Sequence, residues 1–356
     1  MFKSFQFIYL AITCIGSGNA ILAKNCDDCV LITSCPGALH LAVHEKNAKT
    51  EGLIKQGLCS LDQENGLPKV CCSEFPPAPE EIDNHPNLDL LPKDCGEIEG
   101  SRIVGGEVAK LYEFPWMVLI SYKTRIGHEF LCAGSLISPL YVLTAAHCIN
   151  GRRIAGVRIG DYDWKSKVDC EKGTELCESY YQDIGVSETL AHPAYQGPPI
   201  VRNDIGLLRL KKPVNVTVKN AGVICLPVTK QLRERRLDTE QVTVAGWGIT
   251  ENNTASSVLL KVNLPVLSGE MCKAYYSRKT KEDTTKNILC AGMLGKDSCK
   301  GDSGGPLMLE GNYNDEFKFI QYGIVSYGPS QCGSNFPGVY TDVSWFMKWI
   351  LDTIKP

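Results

Sequence analysis

The sequence predicts an all-β domain behind a small module stapled by disulfides, and three observations carry that expectation. From Ile103 onward short β-type runs recur, namely "WMVLISY", "YVLTAAH", "DIGLLRL", "QVTVAGWG", "YGIVSYG" and "GVYTDV", divided by turns rich in Gly, Pro, Asn and Asp. Ahead of them Cys26, Cys29, Cys35, Cys59, Cys71 and Cys72 crowd into a stretch whose core alone would be marginal without covalent staples. Between the two, Pro76, Pro77, Pro79, Pro86 and Pro92 sit among acids and few apolar residues, the composition of an extended, semi-rigid linker.

In chain order, the first segment reads as an address. Lys3 supplies a positive start, Phe5 to Ile15 is largely apolar, and small residues follow to Ala20, the pattern of a secretory signal peptide cleaved after Ala20 or Ala23. No later segment approaches the ~20 apolar residues of a spanning helix, so the expected product is soluble and extracellular. The division that follows is residues 1–23 signal, 24–72 cysteine module, 73–102 linker and 103–356 β domain. Removing Cys14 with the signal leaves 16 of the 17 cysteines, an even number that predicts eight disulfides outside the cell. Secretion also argues against a zinc knuckle at Cys26-Asp27-Asp28-Cys29.

Lys and Arg number 37 against 40 Asp and Glu, a formal charge of -3, so no net field recruits nucleic acid or an anionic membrane. The basic run Arg233-Glu234-Arg235-Arg236 reads as a solvated loop. The chain closes on one helical pattern, Ser344 to Ile354, with Trp345, Trp349 and Ile350 spaced for one face.

Chemistry concentrates at three places in the β region. "KGDSGGPL" surrounds Ser303 with Gly301, Gly304 and Gly305. A serine hydroxyl needs a base, and a developing oxyanion needs backbone N–H groups that a glycine-rich loop presents closely. His147 in "LTAAHC" is the candidate base, and Asp204, at the mouth of "DIGLLRL", is the candidate orienting carboxylate. Singly, each has a plain reading as glycine turn, structural histidine or strand cap. Together, in the order His, Asp, Ser and in a disulfide-rich secreted chain, they point to acyl transfer. A fourth stretch, "EGSRIVGGEV", sets Ile103-Val104-Gly105-Gly106 directly after a cleavable Arg102.

"IVGG", "LTAAHC", "DIGLLRL", "GDSGGP" and "SYG", spread over residues 103–356, resemble the chymotrypsin-like, trypsin-fold serine peptidases. The six-cysteine module ending in "VCC" resembles a clip domain, so the whole chain resembles an arthropod clip-domain serine protease. The resemblance implies a double six-stranded β-barrel with a C-terminal helix, and a triad of His147, Asp204 and Ser303. It implies an oxyanion hole from the N–H groups of Gly301 and Ser303. It places Asp297 at the base of a pocket for Arg or Lys, with Gly328 and Gly338 at its walls and Ser326 to Gly328 pairing with substrate. It implies activation by a cut after Arg102, the new Ile103 ammonium pairing with Asp302.

For disulfides the resemblance implies Cys132–Cys148, Cys272–Cys290, Cys299–Cys332 and a tether Cys95–Cys225. For the clip it implies Cys26–Cys71, Cys29–Cys59 and Cys35–Cys72, among fifteen connectivities that spacing leaves open. Cys170 and Cys177 remain, to close their own loop. A family bridge near residues 242 and 309 is missing, and Tyr327 stands where Trp is usual. The chemistry needs no cofactor. Asp161, Asp163 and Asp169 lie where some relatives bind structural calcium, although solvated acids explain them equally. Asn215 and Asn252 begin glycosylation sequons.

The expected function is a secreted endopeptidase zymogen cutting after Arg or Lys in an extracellular cascade of melanisation, Toll-type signalling or clotting. Its expected partners are a trypsin-like activator, a downstream protein zymogen and a serpin inhibitor, without nucleic acid or membrane. The alternatives are a non-catalytic clip-domain binding cofactor, or a venom or digestive trypsin.

Overall fold

A computed structural model describes residues 26–44, 48–62, 66–76, 82–98, 107–248, 254–276, 287–292, 301–328 and 336–356. The signal segment, Arg102, Ile103, Asn252, Asp297, Cys299 and Cys332 lie outside the described residues. The chain divides into two compact units, Met1–Glu81 and Ile82–Pro356.

The smaller unit holds a three-stranded antiparallel sheet, ordered β1 (Cys29–Leu31), β3 (Pro68–Cys71), β2 (Leu58–Leu61). Two helices absent from the sequence reading, α1 (Pro36–His44) and α2 (Ala48–Gln56), fill the span between β1 and β2. Its buried cluster is small: Ile32, Cys35, Ala38, Leu41, Val70 and Phe75. Three disulfides compensate, joining Cys26 to Cys71, Cys29 to Cys59 and Cys35 to Cys72. Loops of this length each remove about 4 kcal/mol of chain entropy from the unfolded state. The thiols of Cys26 and Cys29 are thereby consumed, which leaves no knuckle for a metal.

The larger unit is built from two antiparallel sheets. The first contains β5 (Met117–Thr124), β6 (Gly127–Ser138), β7 (Tyr141–Thr144), β8 (Ile154–Ile159), β11 (Gln182–Ile184), β12 (Val186–Ala191) and β13 (Gly206–Leu210). Seven segments make six strands here. Only Gly185 separates β11 from β12; β11 pairs with β8 and β12 with β13, so one bent strand joins both edges and closes the barrel. The short pair β9 (Asp169–Cys170) and β10 (Cys177–Glu178) projects as a ribbon clamped by the disulfide of the directly opposed Cys170 and Cys177.

In the second sheet β14 (Gln241–Gly246), β15 (Leu260–Pro265), β16 (Ile288–Ala291), β17 (Pro306–Tyr313), β18 (Glu316–Tyr327) and β19 (Gly338–Asp342) supply six strands. A bridge between Val266 and Ala291 closes this ring, and the two-residue β4 (Glu107–Val108) adds to the outer edge of β15. Four further helices are α3 (Ala146–Ile149), α4 (Lys230–Arg233), α5 (Gly269–Tyr276), tied to β16 by Cys272–Cys290, and α6 (Val343–Thr353). Among the described residues no helix is long and apolar enough to cross a membrane.

Three expectations change on contact with the structure. First, the proline-rich segment does not stay extended past Ile82. Ile82, Leu91 and Cys95 are buried in the core of the larger unit, Asn87 Nδ2 donates to the Leu351 and Ile354 carbonyls at 2.8 and 3.0 Å, and Cys95 bonds to Cys225. Residues 82–98 form a strap whose apolar side chains pack and whose amide satisfies the open carbonyl end of α6. Second, α6 buries Val343, Phe346, Met347, Ile350 and Leu351, whereas Trp345 is 42% exposed. The buried stripe runs i, i+3, i+4, i+7, i+8, one step away from the face that the tryptophans suggested. Third, the basic run is partnered: Arg233 meets Asp83 at 2.9 Å, Arg235 meets Glu240 at 3.3 Å, and Arg236 meets Asp238 at 2.8 Å.

Gly96 has φ +62°, and a Cβ there would lie 2.3 Å from the Phe319 carbonyl oxygen. Gly96→Ala is expected to destabilise the larger unit by at least about 2 kcal/mol. Gly151→Ala, at φ +69° with open space around it, should cost only the backbone strain of about 1 kcal/mol. Calorimetric melting of both variants separates close approach from strain.

Asp342 caps α6 by accepting Ser344 N–H at 2.9 Å, and burial pushes its carboxyl up to about 6 against the pull of the cap bonds. A carboxyl raised in the folded state costs nothing below the unfolded value near ~4 and its full penalty above about 6. Asp342→Asn retains a capping side chain. It should therefore melt a few degrees higher than the parent at pH 8 and alongside it at pH 4.

Candidate active site

Strand register gathers the three candidate residues. Thr144, at the end of β7, is paired with Gly206, at the start of β13. His147, three residues beyond the first, and Asp204, two residues before the second, therefore emerge from the same end of the first barrel. The second barrel repeats the device. Pro306 at the start of β17 opposes Ile324 on β18, so Ser303 and Ser326 lie at one end of that pair. The Gly304 N–H donates to Val325 O at 2.8 Å, and Ala133 of the first barrel donates its N–H to Ser303 O at 2.9 Å, fastening the serine loop to both barrels.

Asp204 is the electrostatic centre. Its side chain is 2% exposed; three donors meet the carboxylate and a fourth meets the backbone carbonyl. His147 donates from its backbone N–H to Oδ1 at 2.9 Å and pairs Nδ1 with Oδ2 at 2.7 Å; Ser326 Oγ donates to Oδ2 at 2.5 Å, and Thr341 Oγ1 to the Asp204 carbonyl at 2.8 Å. Burial alone pushes this carboxyl up, but the hydrogen bond and charge of His147, followed by Ser326, outweigh it and hold the group below the usual carboxylate range. With Nδ1 committed to Asp204, Nε2 of His147 is the nitrogen left free for proton transfer, 3.6 Å from the Cys148 sulfur. Tyr122 donates its hydroxyl to the Cys148 carbonyl at 2.8 Å, and the Cys132–Cys148 disulfide anchors α3. The sulfurs beside His147 are in that bond and hold no metal. No hydrogen bond joins Nε2 to Ser303 Oγ among the described residues, a contact that often tightens only when substrate binds.

Gly304 sits at φ +81°, where a Cβ would come within 2.5 Å of the Ala133 carbonyl, so only glycine lets the serine loop reach the first barrel. Gly301, at φ +106°, backs onto Gly248. Asp302 accepts Gly248 N–H through Oδ1 at 2.8 Å. A Cβ on Gly246 or Gly248 would meet the Asp302 carboxylate at 2.1 and 2.4 Å. That cradle, the Ser326 hydroxyl and Thr341 were missed by sequence reasoning; the glycine spacing of "GWG" was the available signal. Gly338 is buried opposite Ala291, and Gly328 is exposed just past β18.

The acids Asp161, Asp163 and Asp169 do not gather into one metal-holding cluster among the described residues. Asp161 Oδ2 is engaged by Arg158 at 3.1 Å and Asp163 caps its own turn through Lys165 N–H at 3.2 Å. Burial pushes Asp161 up to about 6, with Arg158 opposing and Asp169 and Asp163 adding to the rise. Asp169 accepts Tyr162 N–H through Oδ2 at 2.9 Å, while its buried Oδ1 has no hydrogen-bond partner among the described residues.

Comparison with known proteins agrees with this geometry. The family model for trypsin matches residues 103–350. The chain belongs to the trypsin family. "CLIP domain-containing serine protease HP8" of Bombyx mori is 36% identical over 96% of this chain and 93% of its own length. "Spaetzle-processing enzyme" of Drosophila melanogaster is 36% identical over 92% and 89%. The crystal structure of the Drosophila Grass clip serine protease of the Toll pathway superposes with TM-score 0.66 at 31% identity, covering 93% of this chain and 97% of that one. This chain is thus a clip-domain, trypsin-like serine endopeptidase, and its chemistry requires no cofactor.

If Ser326 holds Asp204 in place, Ser326→Ala should lower kcat/KM by about 10-fold or more, the scale of one charge-assisted hydrogen bond. Asp204→Asn, which reverses the imidazole tautomer, should cost about 10⁴ in kcat. Turnover of an arginyl amide by the activated chain measures both.

Proposed function

We propose that this protease is a secreted zymogen which, once cut after Arg102, cleaves a protein zymogen after arginine in an extracellular cascade. The observation that carries the reading is the buried Asp204–His147 pair, with Ser303 on the adjoining loop. Ser303 Oγ attacks the scissile carbonyl while His147 Nε2 takes its proton and later returns it to the leaving amine. Asp204 keeps the proton on Nδ1 and stabilises the imidazolium. The N–H groups of Gly301 and Ser303 receive the oxyanion, and Ser326 to Gly328 pair with the substrate backbone on the amino-terminal side of the cut.

Asp297, with Gly328 and Gly338 leaving the slot open, selects a guanidinium. In the activated form the Ile103 ammonium joins Asp302 in its glycine cradle and orders the pocket. The disulfide Cys299–Cys332 braces that pocket. The names of the relatives support a place in Toll-type signalling, upstream of a Spaetzle-like substrate, and the arginine at position 102 calls for a trypsin-like activator. A serpin is the expected inhibitor. Residues 1–23 direct export, and residues 24–72 dock a macromolecular partner. Asn215, exposed in a turn closed by Thr217, and Asn252 carry glycans.

Uncut Arg102→Gln protein should be inert towards arginyl amides; appreciable turnover would sink the zymogen reading. In the activated enzyme Asp297→Ser should reduce kcat/KM on arginyl substrates by about 10³, with the ratio of Arg to Phe cleavage collapsing. An unchanged ratio would remove Asp297 from the pocket.

A further inference from the structure

A groove of about 500 Å³ on the first barrel takes no part in this chemistry. Lys123, Arg152 and Arg153 line it together with Ile154 and Glu188. The three cations are exposed, and among the described residues none has an ion-pair partner. Glu188, the one acid in the lining, faces Arg209 at 3.6 Å. The hairpin joining β5 to β6 extends this charge. Lys123 donates its N–H to Arg153 O at 2.9 Å and pairs across the hairpin with His128; Arg125 and Ile126 form the tip, Ile126 being 89% exposed. Glu129 pairs with Tyr122, so it belongs to the opposite face of the hairpin from Lys123. A chain of net charge -3 thus concentrates uncompensated positive charge at one place.

The place has a direction. From His128, β6 runs to Ala133, whose N–H holds the Ser303 carbonyl, a path of about 17 Å at a strand's rise per residue. On that path Leu131 is 44% exposed beside the Cys132–Cys148 bridge, and Cys148 Sγ lies 3.6 Å from Ser303 O. With the amino-terminal side of a substrate on Ser326 to Gly328, its carboxyl-terminal side leaves over this bridge towards the groove. We propose that the groove receives an acidic stretch of the protein substrate, about four to six residues past the scissile bond. The proposal rests on the protease reading above. Single exposed ion pairs contribute little, but converging cations steer encounter and hold a long substrate in place, a gain that a small amide cannot collect.

The test uses the full chain activated by one cut after Arg102, an arginyl amide, and two quenched-fluorescence peptides identical through the cleaved arginine. One peptide carries Glu-Asp-Glu and the other Gln-Asn-Gln from the fourth position beyond the cut. The expected result is a kcat/KM about tenfold higher on the acidic peptide at low salt, shrinking towards parity at ~1 M salt. The triple variant Lys123→Glu, Arg152→Glu, Arg153→Glu should lose that preference while turning over the amide at the parental rate, and Arg153→Glu alone should lose part of it. Equal rates on the two peptides, with the amide still cleaved, overturn the groove and leave the protease reading intact. No amide turnover overturns both. Heparin that binds the parent but not the triple variant, while the peptides go undiscriminated, overturns the peptide assignment in favour of a sulfated polysaccharide.

Discussion

Burying one carboxylate governs how this enzyme is assembled. A charge as secluded as that of Asp204 costs several kcal/mol unless donors surround it. The donors come from both halves of the molecule: His147 from the first barrel and Ser326 from the second. Neither barrel can satisfy the charge alone, so the barrels pack in the one arrangement that also brings Ser303 alongside. Stability and catalysis here draw on the same hydrogen bonds, and the serine loop needs glycine both where it backs onto Gly248 and where it reaches the first barrel.

The smaller unit solves a different problem. The six-residue apolar cluster among its described residues is too small to hold it, and its three disulfides supply by chain entropy what packing cannot. The larger unit has the reverse balance, with a continuous core from Ile82 to Ile354 and bridges that position loops rather than hold the fold together.

The legibility of the sequence follows from this. His147, Asp204 and Ser303 could be read because acyl transfer demands those side chains inside stereotyped turns, and β5, β7, β13 and β14 because their short runs are rich in β-branched and other apolar residues between clear turn signals. The barrel-closing strand could not be read: Gln182–Ala191 alternates weakly and bends at Gly185, so no single period marks it. The strap was misread because Pro76, Pro77 and Pro79 just ahead of it, with Pro86 and Pro92 inside it, set the reading of the whole segment, although Leu88, Leu90 and Leu91 carried the packing signal. On α6 the tryptophans outweighed the smaller residues that are in fact buried. Net charge concealed the groove, since an average erases a local excess. Ser326 was noted for its backbone, while its hydroxyl is what reaches Asp204.

The Cys95–Cys225 bond and the strap around it change what a proteolytic cut means for this molecule. Cutting an ordinary chain at Arg102 would yield two diffusing fragments, and the second would forget the first. Here the amino-terminal piece is already fixed to the second barrel by a covalent bond and by the buried Ile82 and Leu91. The product of such a cut would be a disulfide-linked two-chain polypeptide heavier by one water, separable on a gel only after reduction. Its two chains would stay together for as long as their surroundings remain oxidising, so the redox state around the molecule would set how long the catalytic unit keeps its amino-terminal piece.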